Sequence, residues 1–192
     1  MRMMAAAGIA AIAAAALACG GSPTGPSGSG SLNINLKDSP YGDAKALLVT
    51  FSDVSVHKSD QADESWSKLP FSGGATSRTC DLKKLTTAQD ILGVGSLAAG
   101  HYTQIRLTVS SAALYFDNAA AGNACDASIV APGGATAAVT IPSGVVKLNR
   151  EFDVAAGGTT TILLDFDGDG SVKQTGNGYQ MSPPVIGVVS VQ

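Results

Sequence analysis

Apolar and polar residues alternate along most of the chain after residue 31, and this period of two constrains the fold more than any other feature. In the run 103–109, the odd-numbered residues from Thr103 to Val109 are expected on one face of a strand. The even-numbered residues, among them Gln104 and Arg106, are expected on the other face. Leu32, Ile34 and Leu36 alternate with polar residues in the same way. The pattern is typical of strands that bury one face against a core.

Turn residues separate several further runs with the same period, and no strand–helix–strand alternation is present. Within the run 46–57 the phase of the apolar residues slips at Ser52-Asp53, which predicts a bulge or bend. The segment 82–92 is the only one that could form a short helix, so at most one is expected. Many short strands with turns between them predict an all-β fold, an antiparallel β-sandwich. The later strands are predicted at Ala113–Phe116, Ala137–Ile141, Val145–Leu148, Phe152–Val154, Thr159–Phe166, Ser171–Gln174 and Val185–Val191.

The N-terminus is typical of an export signal followed by a lipid-attachment site. Arg2 precedes an apolar run that ends at Leu17 and is shorter than the roughly 20 residues needed to cross a bilayer. Small residues lead directly into Cys19, which resembles the bacterial lipobox; the alternative is an ordinary signal peptide with an accidental cysteine. We therefore expect a signal peptide over residues 1–18 and lipidation of Cys19.

The residues after Cys19 divide into a tether and one domain. Residues 19–31 are rich in Gly, Ser and Pro and have little to bury, so they are predicted to form a solvated tether. A flexible chain of about a dozen residues would hold the domain about 20 Å from the bilayer. Residues 32–192 are of a length that suits a single domain, and we expect one β-sandwich there.

The charge balance argues against nucleic acid as a partner. The chain has 12 Lys and Arg against 15 Asp and Glu, and its net charge is −3. Removal of Arg2 with the signal leaves 11 basic residues and a net charge of −4. Because there is no basic run, binding to a phosphate backbone lacks its electrostatic driving force. Membrane association is expected through the lipid anchor only.

Cys80 and Cys125 remain once Cys19 is assigned to the anchor. An even pair of cysteines in an exported protein predicts a disulfide. The alternative is two unrelated thiols, one of them buried as a small apolar residue. No C-x-x-C spacing is present, so zinc binding and thioredoxin-type chemistry are poor interpretations.

A possible ligand surface is predicted around Trp66, Gln104 and Arg106. Trp66 is the single tryptophan and follows several acidic residues, as in a sugar-binding platform, although large aromatic side chains more often fill cores. Gln104 and Arg106 point outward from their strand, and the simpler interpretation is a solvated face with ordinary ion pairs. A carbohydrate or an envelope protein is the kind of ligand that such a surface suits.

No residue set predicts catalysis, a cofactor or a metal site. The segment 165–171 begins like a calcium-binding loop, but Gly176 stands where that loop needs a bidentate acid. We therefore expect a hairpin turn with exposed acids. His57 and His101 each lack a second ligand at metal-site spacing and are expected to be solvent-exposed or hydrogen-bonded.

An ordered series of weak motifs resembles exported proteins that carry domain of unknown function 4382. The motifs run in family order from Leu32 almost to the end, except that Met181-Ser182-Pro183 stands where a lysine before the proline is expected. The resemblance implies an Ig-like or transthyretin-like sandwich and no established activity. The matching segments are Leu32–Pro40, Val49–His57, Gly100–Leu107, Ile141–Gly144 with Lys147-Leu148, Leu164–Asp167 and Pro184–Ile186.

Two classes of function remain at this stage. The first is a lipid-anchored, non-enzymatic binding or structural module of the cell envelope, located at the outer membrane, the cell surface or in the periplasm. The second is an exported hydrolase-like enzyme whose site is assembled from loops. A deep pocket with several titratable side chains would favour the enzyme, and a closed sandwich with shallow surfaces would favour the binding module.

Overall fold

A computed structural model of the chain describes residues 27–39, 41–86, 90–176, 178–181 and 185–192. Within these residues most of the chain is extended, and helix is limited to single turns at Ser72–Gly74, Leu82–Lys84 and α1 (Gly168–Ser171). The strands are β1 (Ser29–Ser39), β2 (Ala46–Lys58), β3 (Ser67–Leu69), β4 (Arg78–Asp81), β5 (Asp90–Ala98), β6 (Gly100–Tyr115), β7 (Cys125–Asp126), β8 (Thr136–Thr140), β9 (Val145–Val154), β10 (Thr159–Asp167), β11 (Val172–Thr175), β12 (Gly178–Met181) and β13 (Val185–Val191).

The strands form two sheets. Sheet A has the order β13-β10-β1-β5, and sheet B has the order β11-β12-β8-β6-β2-β4-β7, with β3 paired to β2 and β9 paired to β6. The long strand β6 is the centre of sheet B, because its first half pairs with β9, its last three residues with β8 and almost its whole length with β2.

The two sheets enclose one main hydrophobic core. From sheet A, β1 contributes Leu32, Ile34 and Leu36, all with no exposed surface. From sheet B, β6 contributes Ile105 and Leu107, and all five side chains belong to the same buried cluster. Alternation in the sequence thus corresponds to alternation of burial, and the predicted all-β sandwich is confirmed.

A second, smaller cluster covers one half of the outer face of sheet B. Ala46 and Leu48 point away from the main core and pack against Ala120, with Ile129 partly buried beside them. The segment between β6 and β8 therefore covers sheet B near the start of β2. The other half of this outer face, around the end of β2, lies outside this small cluster.

Several local predictions are confirmed. The phase slip at Ser52 corresponds to a bulge, since Phe51 pairs with Val109 and Asp53 with Thr108 on β6. A disulfide joins Cys80 and Cys125, which are direct partners in the β4–β7 pair. The disulfide thus links β7 to the body of sheet B.

Other elements differ from the sequence-based prediction. The segment 82–92, the one candidate for a short helix, contains a single 3₁₀ turn at Leu82–Lys84, and β5 begins at Asp90. Tertiary pairing favours the strand, because β5 pairs with β1 along its length, from Asp90 opposite Leu36 to Ala98 opposite Ser29. Two separate strands were predicted within 103–116 and two within 145–154. In the structure each of these regions forms one continuous strand, β6 and β9 respectively.

Strand orientation is mixed. Most pairs in the described chain are antiparallel, as predicted, but β1 runs parallel to β10 and β8 runs parallel to β12. Parallel neighbours require a crossover between the sheets, which alternation of residues does not encode. The finer likeness to an immunoglobulin or transthyretin sandwich stays a prediction.

The first strand begins earlier than the predicted domain boundary. Ser29–Ser31 belong to β1, where Gly157 donates to the carbonyl of Ser29 and Ser31 donates to that of Gly158. The predicted tether therefore overlaps the sandwich by three residues. Cys19 and the predicted signal peptide over residues 1–18 lie outside the described residues.

Candidate functional site

The uncovered half of the outer face of sheet B is built from the C-terminal half of β2 and its neighbours. Register places His57, Gln104 and Asn149 in one row across β2, β6 and β9. The next row is Lys68, Ser55, Arg106 and Lys147, across β3, β2, β6 and β9. Residues opposite each other on paired strands have side chains on the same face, so polar and cationic groups share this surface.

Two irregularities open a groove beside the first row. Between Tyr102 and Gln104 the register with β2 shifts, and the register with β9 shifts at the same place. The shifts leave Thr103 and the Arg150-Glu151 pair out of regular pairing, which bends the strands locally. An open groove of about 690 Å³ results, lined by Thr103, Gln104, Asn149, Arg150 and Glu151.

The bulge also reverses one sequence-based assignment. Thr103 was expected on the same face as Ile105, but it is half-buried and lines the outer groove with Gln104. Its Oγ1 lies 3.4 Å from Nδ1 of His57. Strict alternation fails here because a bulge inserts one residue into the strand and shifts the phase of the side chains before it.

Trp66 lies over this face and outside the core. Its ring is half-buried, and its Nε1 donates to the carbonyl of Asp63 at 3.0 Å, which holds the ring against its own loop. The Arg106 Cζ lies 3.5 Å from the centroid of the Trp66 ring, a close cation–π contact. The His57 ring centroid is 5.1 Å from that of Trp66. The core-packing alternative for Trp66 is therefore wrong.

A second depression lies beside Trp66. It has a volume of about 590 Å³, and Lys58, Glu64, Trp66 and Tyr102 are among its lining residues. Lys58 donates to Asp60 at 2.9 Å, and this hydrogen bond lowers the pKa of the Asp60 carboxyl. Trp66 thus lines this second depression and is not among the residues that line the first groove.

The cations of this face differ in their partners. Lys68 forms an ion pair with Asp53 at 2.6 Å. Arg106, Lys147 and Arg150 form no ion pair with any residue that the structure describes. The Nε atom of Arg106 is buried without a hydrogen-bond partner in the same set of residues. The guanidinium is therefore held in place by Trp66 rather than by a carboxylate.

His101 is the side chain closest to a catalytic arrangement. Its Nδ1 lies 2.9 Å from Asp153 Oδ1, and its Nε2 lies 4.0 Å from Glu151 Oε2. A histidine with a carboxylate on Nδ1 has the orientation of a general base. Both carboxylates are largely exposed, however, and the ring nitrogens face opposite acids. Both histidines of the chain are hydrogen-bonded, as expected.

The acidic segment at the end of β10 and in α1 departs from the predicted hairpin turn with exposed acids. Asp165 is half-buried and forms an ion pair with Lys37 at 2.8 Å. Asp167 caps α1 by accepting from the Gly170 N–H at 2.7 Å, and Asp169 accepts from Gly42 at 3.0 Å. The three carboxylates are thus committed to different partners. Local backbone bonds favour one helical turn over a two-residue hairpin loop.

Asp38 is a buried acid at the end of β1. Its Oδ1 accepts from the Gly168 N–H at 3.1 Å, while its Oδ2 has no partner among the described residues. Burial raises the pKa of Asp38 to about 8, and the nearby charges of Asp165 and Asp167 act in the same direction. The carboxyl lies beneath α1 at one end of the sandwich, so its role is structural.

Sequence reasoning found part of the candidate surface. Trp66 and Arg106 are in contact. Gln104 lies two residues before Arg106 on β6, and its side chain is on the same face. The contributions of His57, Asn149 and Arg150 were missed. The alternation of β9 predicts an outward Asn149, but its position beside Gln104 depends on the register between β6 and β9.

Comparison with known proteins identifies the family. A model of the family described as domain of unknown function, DUF4382, matches residues 29–183. The chain belongs to the DUF4382 family. The match begins at the first residue of β1, and the residues of the outer face all lie inside it. A search of curated proteins found no match, and a search of solved structures found none.

The part of this DUF4382 protein that the structure describes contains no helix long and apolar enough to cross a membrane. The same part contains no group of three or more His, Cys, Asp or Glu side chains arranged to hold a metal ion.

Proposed function

We propose that this protein is a lipid-anchored, extracytoplasmic β-sandwich that binds a ligand of the cell envelope without chemical turnover. The lipobox-like Cys19 and the preceding apolar segment support the anchor. The contact between Trp66 and Arg106 on the uncovered half of sheet B carries the binding part of the proposal. The anchor proposal rests on Cys19 and the binding proposal on Trp66 and Arg106, so the two can be tested separately.

The chemistry of the surface suits recognition better than catalysis. An aromatic ring offers a flat apolar face, and the neighbouring amides of Gln104 and Asn149 offer both donors and acceptors. The Trp66 ring is held by its Nε1 hydrogen bond and by Arg106, so little conformational entropy would be lost on binding. One open groove is lined by Gln104 and Asn149 and another by Trp66, so a ligand has access to these groups.

The binding proposal is tested by removing the aromatic ring. The purified full chain in detergent is assayed against immobilised envelope polysaccharides and against detergent-extracted envelope proteins. Trp66→Ala should reduce retention roughly tenfold, because such anchors are worth about 1.4 kcal/mol or more. Val130→Ser, at an exposed loop residue that lines neither groove, is the matched control. Equal retention of Trp66→Ala and wild type would remove this face as the binding site.

A hydrolase is the second candidate, and the pairing of His101 with Asp153 favours it. A general base oriented by a carboxylate would need a nucleophile or a water held against the other ring nitrogen. Hydrolysis of a panel of ester and glycoside substrates, lost on His101→Ala, would support the enzyme over the binding module.

A further inference from the structure

The cations of the outer face indicate which class of ligand the proposed binding surface takes. Arg106 and Lys147 are direct cross-strand partners, and Arg150 lines the groove beside them. Resting on the proposed binding function, we infer that the ligand is an acidic polysaccharide. Its carboxylates lie against Arg106, Lys147 and Arg150, and one of its sugar rings lies against Trp66.

Charge complementarity favours an anionic ligand. Half of the other basic residues in the described chain form ion pairs: Lys37 with Asp165, Lys58 with Asp60, Lys68 with Asp53 and Arg78 with Asp90. In a chain with a net charge of −3, three cations without such a partner among the described residues are concentrated on one face. Their charges are compensated when an anionic ligand binds.

The position of Arg106 favours a carboxylate as the anionic group of the ligand. Its Cζ is held 3.5 Å from the centroid of the Trp66 ring, and its Nε is buried and unpartnered among the described residues. A guanidinium that is already fixed by stacking loses little freedom when it binds a carboxylate, and its planar fork suits that group. Glu151 also lines the groove, but it lies toward His101, 4.0 Å from Nε2.

The neutral groups of this face favour a sugar over a simple anion. Gln104 and Asn149 lie side by side, in the row next to Arg106 and Lys147. Amide groups provide donors and acceptors that match sugar hydroxyls, and the indole provides an apolar face for the C–H bonds of a sugar ring. Neighbouring strands are about 4.8 Å apart, so Arg106 and Lys147 offer charges at a short regular spacing.

The test compares one polymer with and without its charge. The full chain in detergent is titrated with polygalacturonate and with the same polymer after complete methyl esterification, by calorimetry and by affinity gel electrophoresis. We expect binding to polygalacturonate that weakens as salt is raised, and at least roughly tenfold weaker binding to the ester.

Variants assign the binding to this face. Lys147→Ala and Arg150→Ala should each weaken binding of polygalacturonate by roughly fivefold, as expected for one exposed ion pair of about 1 kcal/mol. Both side chains are exposed, so the variants should fold, which circular dichroism checks. Lys173→Ala removes an exposed cation from β11, at the far edge of sheet B, and should leave binding unchanged.

Three outcomes would overturn the inference. Equal binding of both polymers, lost in Trp66→Ala, would keep the proposed binding function but reject an acidic ligand. Equal losses in Lys147→Ala and Lys173→Ala would reject this face as the site of charge recognition. Binding of a purified envelope protein through this face, with no binding of either polymer, would reject carbohydrate as the ligand class.

Discussion

At the scale of single residues, Asp38 shows how a buried acid links two distant parts of the chain. It is 5% exposed and accepts from Gly168, a residue 130 positions away, so it joins the end of β1 to α1. Burial raises the pKa of Asp38 to about 8 from an ordinary value of 3.8. Between these pH values the folded protein keeps the proton that the unfolded chain releases. The contribution of Asp38 to the free energy of unfolding is therefore complete below about pH 4 and is lost as the pH rises to about 8.

We expect Asp38→Asn to stabilise the fold near neutral pH. The amide oxygen retains the bond from Gly168 without needing a proton, and the new NH₂ group offsets part of the gain. The net change in the free energy of unfolding should be about 1–3 kcal/mol at pH 7 and smaller at pH 4. Urea unfolding of both proteins from pH 4 to pH 8 measures it. Parallel pH profiles would show that Asp38 is not the source of the slope.

At the scale of elements, the start of β1 depends on a close approach between backbones. Gly30 is buried, and an added Cβ would overlap the carbonyl oxygen of Ala155 and the side chain of Val154. The hydrogen bonds of Ser29 and Ser31 to the turn after β9 require this approach. A glycine in a segment that resembles a tether is therefore part of the sandwich.

Gly30→Ala should destabilise the protein by about 1–3 kcal/mol, because an overpacked site forces the backbones apart. Gly133→Ala is the matched control, since nothing lies within 4 Å of the added Cβ there. The control should change stability by less than about 0.5 kcal/mol. Urea denaturation followed by circular dichroism gives both values. A Gly30→Ala protein as stable as the control would place these residues in the tether.

At the scale of the whole molecule, the sandwich has to be considered with its proposed anchor. β1 begins at Ser29, so the predicted tether contains no more than residues 19–28 before the fold starts. The candidate surface lies on sheet B, whereas β1 belongs to sheet A. The proposed binding face is therefore on the opposite sheet from the strand that would lead to the anchor.

Cys19→Ser should move the protein from the membrane fraction to the soluble exported fraction, because the thiol is the proposed site of acylation. Metabolic labelling with a radioactive fatty acid should be lost at the same time. Ser22→Ala, a change in the predicted tether, is the control and should stay in the membrane fraction. A Cys19→Ser protein that pellets as strongly as the control would contradict lipid anchoring.

The sequence by itself was sufficient for the class of fold and for several local features. Burial requires one strand face to be apolar, so alternation at Leu32–Leu36 and along β6 predicted which side chains enter the core. The slip at Ser52 predicted its bulge, and the pairing of two cysteines followed from their number. Gln104 and Arg106 were identified because they oppose the apolar face of β6, and Trp66 because it is the single tryptophan and follows several acidic residues.

Tertiary structure alone decided which of these groups meet. Register places Asn149 beside Gln104, and a bulge turns Thr103 outward toward His57. The choice of strand for β5 and the parallel pairing of β1 with β10 also depend on partners distant in sequence. Local alternation records only whether a residue faces inward or outward, whereas strand order and register follow from the free energy of packing two whole sheets together.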